Sequence, residues 1–184
     1  MPQKLFAVYL GGTAPKCNTE LHDVVCTVGE SIEATYEQLM DKWFGTPEGL
    51  HLDSWMELDN VEGYRISLCA EKAADGPKLY FVNLGAYRDG EFTEYHANKF
   101  IVADDIIQAK IKGKSLLLQD WGAPVHTDDL YEVDDCLEIG EVDGLYVRLE
   151  KTDQPERLKP TNGYHLIPKS TVQDYIARKA ASAK

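Results

Sequence analysis

The sequence has few of the residue patterns that identify a reaction. Its four cysteines form no Cys-x-x-Cys pair, and no serine lies in a Gly-x-Ser-x-Gly turn. Neither a Gly-x-Gly-x-x-Gly loop nor a His-Glu-x-x-His helix motif occurs. A nucleophilic hydrolase, a dinucleotide loop and a zinc protease therefore have no support, because each of these chemistries needs its own spacing. We expect no cofactor and no metal site, and we expect the cysteines to be reduced thiols.

Basic residues are also scarce, with 19 Lys and Arg against 31 Asp and Glu, which gives a formal net charge of −12. The acidic excess lies in residues 1–150, whereas residues 151–184 are basic. An acidic body repels phosphate backbones and anionic lipid, so the composition disfavours nucleic-acid and membrane partners. The first apolar run, residues 5–10, is too short for a signal peptide or a membrane span. We expect a cytoplasmic protein.

The strongest feature of the sequence is an internal repeat. Residues 4–11, KLFAVYLG, reappear as residues 78–85, KLYFVNLG, and TELH at 19–22 reappears as TEYH at 93–96, both at a shift of 74. We interpret this pattern as a tandem duplication. It predicts a first half over residues 1–76, a second half over 77–150, and a connector with a C-terminal extension over 151–184.

Each half is expected to form an α+β unit of strand, strand, helix, strand and strand, and the two pseudo-symmetric halves to pack together. The first half predicts strands over residues 5–10 and 21–28, closed by a Gly-Gly turn, and a helix capped by Ser31. In the second half Asp104 is the expected cap, and Gly113 within the helix predicts a close packing contact. The extra residues near 135–141 are expected to lengthen a turn. A short edge strand at 164–167 and a helix from Ser170 should follow. This basic tail is expected to dock on the acidic body, and the alternative is a free tail that binds a partner.

Four of the five histidines occupy paired positions when the halves are aligned, and this is the clearest functional signal. His22 is paired with His96, and His51 with His126. Imidazole titrates near neutral pH and serves as a general base or a metal ligand. A carboxylate two residues away in an extended segment lies on the same side of the strand as its histidine. His51 with Asp53 therefore predicts an oriented pair.

The same argument applies to Asp128 beside His126, and Asp23 directly follows His22 where the second half has Ala97. The candidate catalytic residues are these: His22, Asp23, His51, Asp53, His96, His126 and Asp128. The structural alternative is that each histidine satisfies hydrogen bonds at the border of a core, once in each half. Glu57 with Asp59, on an expected outward face, and the Gly11-Gly12 turn are weaker candidates.

The chain resembles a small bacterial family catalogued as domain of unknown function 1543. The resemblance depends on LGG at 10–12, NTELHDVV at 18–25, WFG at 43–45 and HLDSWME at 51–57, with weaker counterparts in the second half. It covers residues 4 to about 150. It implies a cytoplasmic, duplicated α+β protein and brings no activity, ligand or site residue.

Three functional hypotheses follow. The leading one is a non-enzymatic module that binds an unknown small molecule or protein in a groove between the halves, walled by loops 13–18 and 87–92. The second is a small-molecule enzyme that uses His22 with Asp23, or His51 with Asp53, as an acid–base pair. The third is a structural homodimer formed through an edge strand.

Overall fold

The computed structural model describes residues 2–72, 75–87, 89–120 and 133–182. Within them the chain forms three antiparallel sheets and three α-helices, which confirms the predicted α+β class. The strands in chain order are β1 (Lys4–Gly12), β2 (Leu21–Gly29), β3 (His51–Glu57), β4 (Asn60–Val61), β5 (Tyr64–Cys69), β6 (Lys78–Tyr87), β7 (Glu94–Ala103), β8 (Val133–Glu138), β9 (Glu141–Val142), β10 (Leu145–Lys151) and β11 (Thr161–Leu166). The helices are α1 (Tyr36–Lys42), α2 (Ile106–Asp120) and α3 (Lys169–Ser182). No helix in the described ranges has the length and apolar character needed to span a membrane.

The chain divides into two compact units. Unit 1 contains Met1–Asp59, Val142–Leu145 and Arg157–Lys184, and unit 2 contains Asn60–Glu141 and Tyr146–Glu156. The predicted boundaries at residues 76 and 150 follow the repeats along the sequence, whereas each unit combines segments that are distant in sequence.

Unit 1 is built on a four-stranded sheet in the order β11-β3-β1-β2. Alternate residues of β1, namely Phe6, Val8 and Leu10, lie on one face because successive side chains of a strand point to opposite sides. They pack against apolar residues of the helical layer and its flanking segments: Ile32, Leu39, Met40, Trp43, Ile167 and Val172. The other face of β1 carries Tyr9 and Gly11, and the candidate site lies there.

The C-terminal extension belongs to unit 1. Strand β11 is the predicted edge strand and pairs with β3. In α3, Val172 is buried, Tyr175 donates a hydrogen bond to Asp41 at 2.8 Å, and Arg178 binds both carboxylate oxygens of Glu37 at 2.7 and 2.9 Å. The prediction that the basic tail docks on the acidic body is confirmed.

Unit 2 contains a three-stranded sheet, β7-β6-β8, with α2 packed on one face, and a second sheet in the order β4-β5-β10-β9. A Cβ on Gly113 would come within 2.9 Å of Cγ1 of Val82, so the predicted close contact at this glycine is confirmed. The predicted helix cap is displaced by one residue, because the Gln108 amide donates to the carboxylate of Asp105 at 2.8 Å.

Two local predictions are wrong. Gly11 and Gly12 do not form a turn after the strand; they pair with His22 and Leu21 inside the β1–β2 ladder. Residues 135–138, predicted as a lengthened turn, belong to β8 and pair with β6.

Leu10 pairs with Leu52, and Leu84 pairs with Val133, so β8 follows β3 by 81 residues at this point of the register, where the sequence predicted 75. Both His126 and Asp128 lie outside the described residues.

Candidate functional site

A glycine on the central strand of unit 1 lies between two histidines. Gly11 pairs with His22 on β2 and with His51 on β3. Residues directly opposite each other in an antiparallel ladder project from the same face of the sheet. Because Gly11 has no side chain, both imidazoles have room above the central strand.

Two carboxylates meet these imidazoles. Nε2 of His22 is 3.3 Å from Oδ2 of Asp53 and 3.8 Å from Oε2 of Glu20. Nε2 of His51 is 3.1 Å from Oε1 of Glu20 and 3.5 Å from Oδ1 of Asp53. We call these four residues, His22, His51, Asp53 and Glu20, the histidine–carboxylate cluster.

A β-bulge brings Asp53 into the cluster. Tyr9 pairs with Ser54 and Leu10 pairs with Leu52, so Asp53 is the extra residue of β3 at this point. A bulge bends the strand locally and changes the direction of the side chain it carries. The carboxylate of Asp53 thus reaches both His22 and His51, which lie on different strands.

A backbone carbonyl sets the proton position of His51. Nδ1 of His51 is 2.9 Å from the carbonyl oxygen of Gly49, and a carbonyl only accepts hydrogen bonds, so Nδ1 carries the proton. In the neutral ring, Nε2 then carries a lone pair that faces the carboxylates of Glu20 and Asp53. His51 is 1% exposed, and neither its Nε2 nor Oδ2 of Asp53 has a hydrogen-bond partner among the described residues. With a second proton on Nε2, the same separations are ion pairs between an imidazolium and the two carboxylates.

Aromatic rings support both histidines. The Tyr9 ring stacks on His22, with centroids 5.2 Å apart and planes 23° from parallel. The Tyr164 ring lies 4.1 Å from the His51 ring. Burial raises the pKa of the Tyr9 phenol, and the negative charge of Asp53 raises it further. Tyr9 therefore stays a neutral phenol over the pH range in which histidine titrates.

The space above Gly11 is the centre of the cluster. A Cβ at this position would come under 3.0 Å from Nε2 of His51 and would lie 2.5 Å from Oδ2 of Asp53. Both atoms thus occupy the space that a side chain at position 11 would need.

The structure brings together three of the predicted residues: His22, His51 and Asp53. Asp23 is not with them, because it pairs with Leu10 on the opposite face and accepts a hydrogen bond from the Val24 amide. His96 lies in unit 2, where its Nε2 is 3.7 Å from Glu94 and its Nδ1 is 3.2 Å from Asn83. These placements leave the predicted catalytic roles as predictions.

Sequence reasoning missed Glu20. It stands two residues before His22, the same spacing that predicted the His51–Asp53 pair, and its counterpart Glu94 precedes His96 in the repeat. Applied in both directions along the chain, the spacing rule would have found it. Gly11 and Tyr164 carried no such signal, because their proximity depends on strand pairing.

Two cavities in the described part of the chain lie away from the histidine–carboxylate cluster. One of about 600 Å³ in unit 2 is bordered by Lys72, Lys78, Glu138, Tyr146 and Arg148. Another in unit 1 is bordered by Glu57, Asp59 and Arg157. Neither contains a histidine, and the buried unsatisfied imidazole makes the histidine–carboxylate cluster the stronger candidate. Among the described residues, no group of three or more His, Cys, Asp or Glu side chains is already arranged to hold a metal ion.

Fold and cluster define an α+β protein of antiparallel sheets with a histidine–carboxylate site on one sheet face. Residues 17–68 match the family described as Domain of Unknown Function (DUF1543). The structure is similar to the crystal structure of protein Il1583 from Idiomarina loihiensis, with a TM-score of 0.72 and 41% sequence identity. The match covers 91% of this chain and 99% of the other. The chain belongs to the DUF1543 family, and no curated protein matches it.

Proposed function

We propose that this protein binds a small positively charged ligand at the histidine–carboxylate cluster of unit 1. The observation that carries the proposal is the orientation of both Nε2 atoms toward the carboxylates of Asp53 and Glu20, at 3.1–3.8 Å. Carboxylates only accept hydrogen bonds, and in the neutral form of the His51 ring Nε2 presents a lone pair. A cation would compensate the negative charge of the carboxylates, and a group with several N–H or O–H donors would satisfy their oxygens and the imidazole nitrogen.

Exposure supports binding from solvent. The His51 side chain is 1% exposed, whereas those of His22, Glu20 and Asp53 are 38%, 48% and 29% exposed. The cluster thus combines a buried imidazole with three partners that solvent reaches. A purely structural histidine at a core border would be expected to satisfy both ring nitrogens within the protein.

We also infer that the chain arose by tandem duplication and that the site is unique to the first half. The bulges at Tyr9/Leu10 and Asn83/Leu84, and the pairs Lys4–Glu57 and Lys78–Glu138, support the duplication. Counted along the sequence at the shift of 81, Asp53 corresponds to Asp134, but His51 corresponds to Glu132. Loss of one histidine from the repeat supports a specialised role for the first copy.

A second candidate is an acid–base enzyme in which Asp53 orients His22. The 3.3 Å separation of Nε2 and Oδ2 and the stacked Tyr9 ring favour it. In that case Nδ1 of His22 would be the working base. This candidate predicts turnover that depends on His22, whereas the binding function needs none.

Side-chain NMR of the tag-free full-length protein, labelled with ¹⁵N at histidine, tests the proposal. The panel would contain guanidinium, spermidine, Zn²⁺ and Mg²⁺, each titrated separately. We expect at least one of them to shift or broaden the His22 and His51 signals saturably and to leave the His96 signals unchanged. Asp53→Asn should weaken that response, because it removes a charge and preserves the shape.

His96 is the matched control, since it lies at the equivalent register position beside its own Glu94. If no member of the panel perturbs His22 or His51, or if His96 responds equally, the proposed function is wrong.

A further inference from the structure

We infer that the bound cation is a divalent transition-metal ion, held by Nε2 of His22, Nε2 of His51 and the carboxylates of Asp53 and Glu20. The inference rests on the proposed function and specifies its ligand. It assigns to unit 1 a two-histidine, two-carboxylate metal site.

The spacing of the donor atoms favours a metal ion over an organic cation. The pairs His51–Glu20, His22–Asp53 and His51–Asp53 are separated by 3.1, 3.3 and 3.5 Å. Ligand atoms bound at about 2.1 Å to one ion lie roughly 3.0–3.4 Å from each other in octahedral or tetrahedral geometry. Acceptors around an ammonium nitrogen, with hydrogen bonds of about 2.8 Å, lie roughly 4.5 Å apart. These three separations lie near the shorter set, and the fourth, His22–Glu20 at 3.8 Å, lies between the two sets.

His51 also has the outer contact typical of a metal-binding histidine. Its Nδ1 donates to the Gly49 carbonyl oxygen at 2.9 Å, which fixes the ring with Nε2 toward the carboxylates. That Nε2 and Oδ2 of Asp53 are both buried without a hydrogen-bond partner among the described residues. An ion bound to both atoms supplies the missing partner for His51 and for Asp53 together.

The four side chains do not yet form a metal centre, as the absence of a ready-made group within the described ranges shows. Glu20 lies in the loop before β2 and is 48% exposed, so its carboxylate is free to rotate toward the centre. Nε2 of His51 already lies 3.5 Å from Oδ1 of Asp53. Closure therefore requires a side-chain adjustment of Glu20 and no change in the sheet.

Ligand chemistry selects the class of ion. Imidazole nitrogen suits Zn²⁺, Co²⁺, Ni²⁺ and Cu²⁺, whereas Mg²⁺ and Ca²⁺ prefer sites made of oxygen. Two imidazoles with two carboxylates should therefore bind Zn²⁺ or Co²⁺ and should discriminate against Mg²⁺.

The test is calorimetry with Zn²⁺ and visible spectroscopy with Co²⁺ on tag-free, chelator-treated, full-length protein. Cys17→Ser and Cys69→Ser form the background, because thiolates are zinc ligands and these two cysteines are partly exposed. We expect one Zn²⁺ per chain, no measurable heat with Mg²⁺, and Co²⁺ absorption bands without thiolate charge transfer. His51→Gln and His22→Gln should each weaken binding more than about 10-fold, the loss that even an outer partner of a ligand can cause.

His96→Gln is the matched control and should leave affinity unchanged. Gly11→Ala should also abolish binding, because its methyl group displaces the His51 ring and the Asp53 carboxylate, and circular dichroism would show whether the variant is folded. Failure to bind Zn²⁺ or Co²⁺, or equal losses in His51→Gln and His96→Gln, would overturn the metal site. Should metal binding fail while guanidinium or spermidine still shifts the His22 and His51 signals, the proposed cation site stands without the metal. When neither ion nor amine produces a response, both proposals fall.

Discussion

Gly11 lies directly opposite His51 in the β1–β3 register, and a Cβ on Gly11 would come under 3.0 Å from Nε2 of that histidine. The glycine is therefore required by the space that the imidazole and Asp53 occupy. It is not required by backbone conformation, since the residue lies in an extended strand.

The variant Gly11→Ala should lose about 1–3 kcal/mol of unfolding free energy, the usual cost of inserting a methyl group into a packed site. Urea denaturation of the wild type and the variant measures it. Adding His51→Ala removes the obstructing ring, so the double variant should be more stable than the sum of the single losses predicts. Strict additivity would show that the ring does not set the requirement for glycine.

Asp143 should stabilise unit 1 through one carboxylate that serves three donors. It accepts from the Val28 amide at 2.8 Å and Thr27 Oγ1 at 3.0 Å, and its Oδ1 pairs with Lys42 at 2.7 Å. Asp143→Ala should cost about 2 kcal/mol, because hydrogen bonds to a charged group are among the stronger ones. Asp143→Asn should cost less, since it retains an acceptor and tolerates the positive φ of 51°.

Glu62 provides the matched comparison in unit 2. It accepts from the Val102 amide and from Lys112, both at 2.7 Å, and its φ is 50°. Glu62→Ala should therefore destabilise the protein by a similar amount in the same denaturation experiment.

If Asp143→Ala and Asp143→Asn are equally destabilising, the charge of the Asp143 carboxylate rather than its acceptor geometry is what stabilises the protein.

Docking of α3 should weaken in acid. The hydrogen bond from Lys179 holds the pKa of the Asp41 carboxyl below its usual value, with a further contribution from Tyr175. A carboxyl whose pKa is lower in the folded than in the unfolded protein stabilises the fold above its unfolded pKa. That contribution disappears as the pH falls through the folded pKa.

Asp41→Asn should therefore reduce thermal stability at pH 7, and the difference from the wild type should vanish below about pH 3, under the usual value for aspartate. Differential scanning calorimetry between pH 2.5 and 7 measures the difference. Glu48→Gln, a change at an exposed loop position, is the control and should show no such convergence. A deficit in Asp41→Asn that persists at the lowest pH would indicate lost packing instead of lost charge.

Cys26 should be a poor nucleophile. Burial raises the pKa of its thiol to about 12, with Asp143 adding to the increase and Lys42 opposing it. Because the thiolate is the reactive form, a chain that keeps Cys26 and replaces Cys17, Cys69 and Cys136 by serine should react slowly with a disulfide reagent at pH 8. The rate should rise about tenfold between pH 9.5 and 10.5, whereas an ordinary thiol with a pKa of about 8.5 changes little over that range. A plateau there would show an ordinary thiol.

Periodicity and composition predicted most of the secondary structure. The strands at 4–12, 21–29, 78–87 and 94–103 follow alternating or continuous apolar runs, and α1 and α2 follow stripes at helical spacing. These signals are local and depend on which face each residue buries. The offset of β8 relative to β3 could not be predicted this way, because the alternation of apolar and polar residues is the same on either side of an insertion.

The sequence by itself determined the α+β class, the repeated pattern of strands, and the pairing of His51 with Asp53 two residues away. Tertiary structure decided that His22, His51 and Glu20 meet, because β1 pairs with both β2 and β3 and places Gly11 between two histidines that are 29 residues apart in sequence. It also decided that Asp53 joins them through a bulge and that Asp23 does not. Spacing along one strand fixes which side chains share a face, but only the register between strands fixes which faces meet.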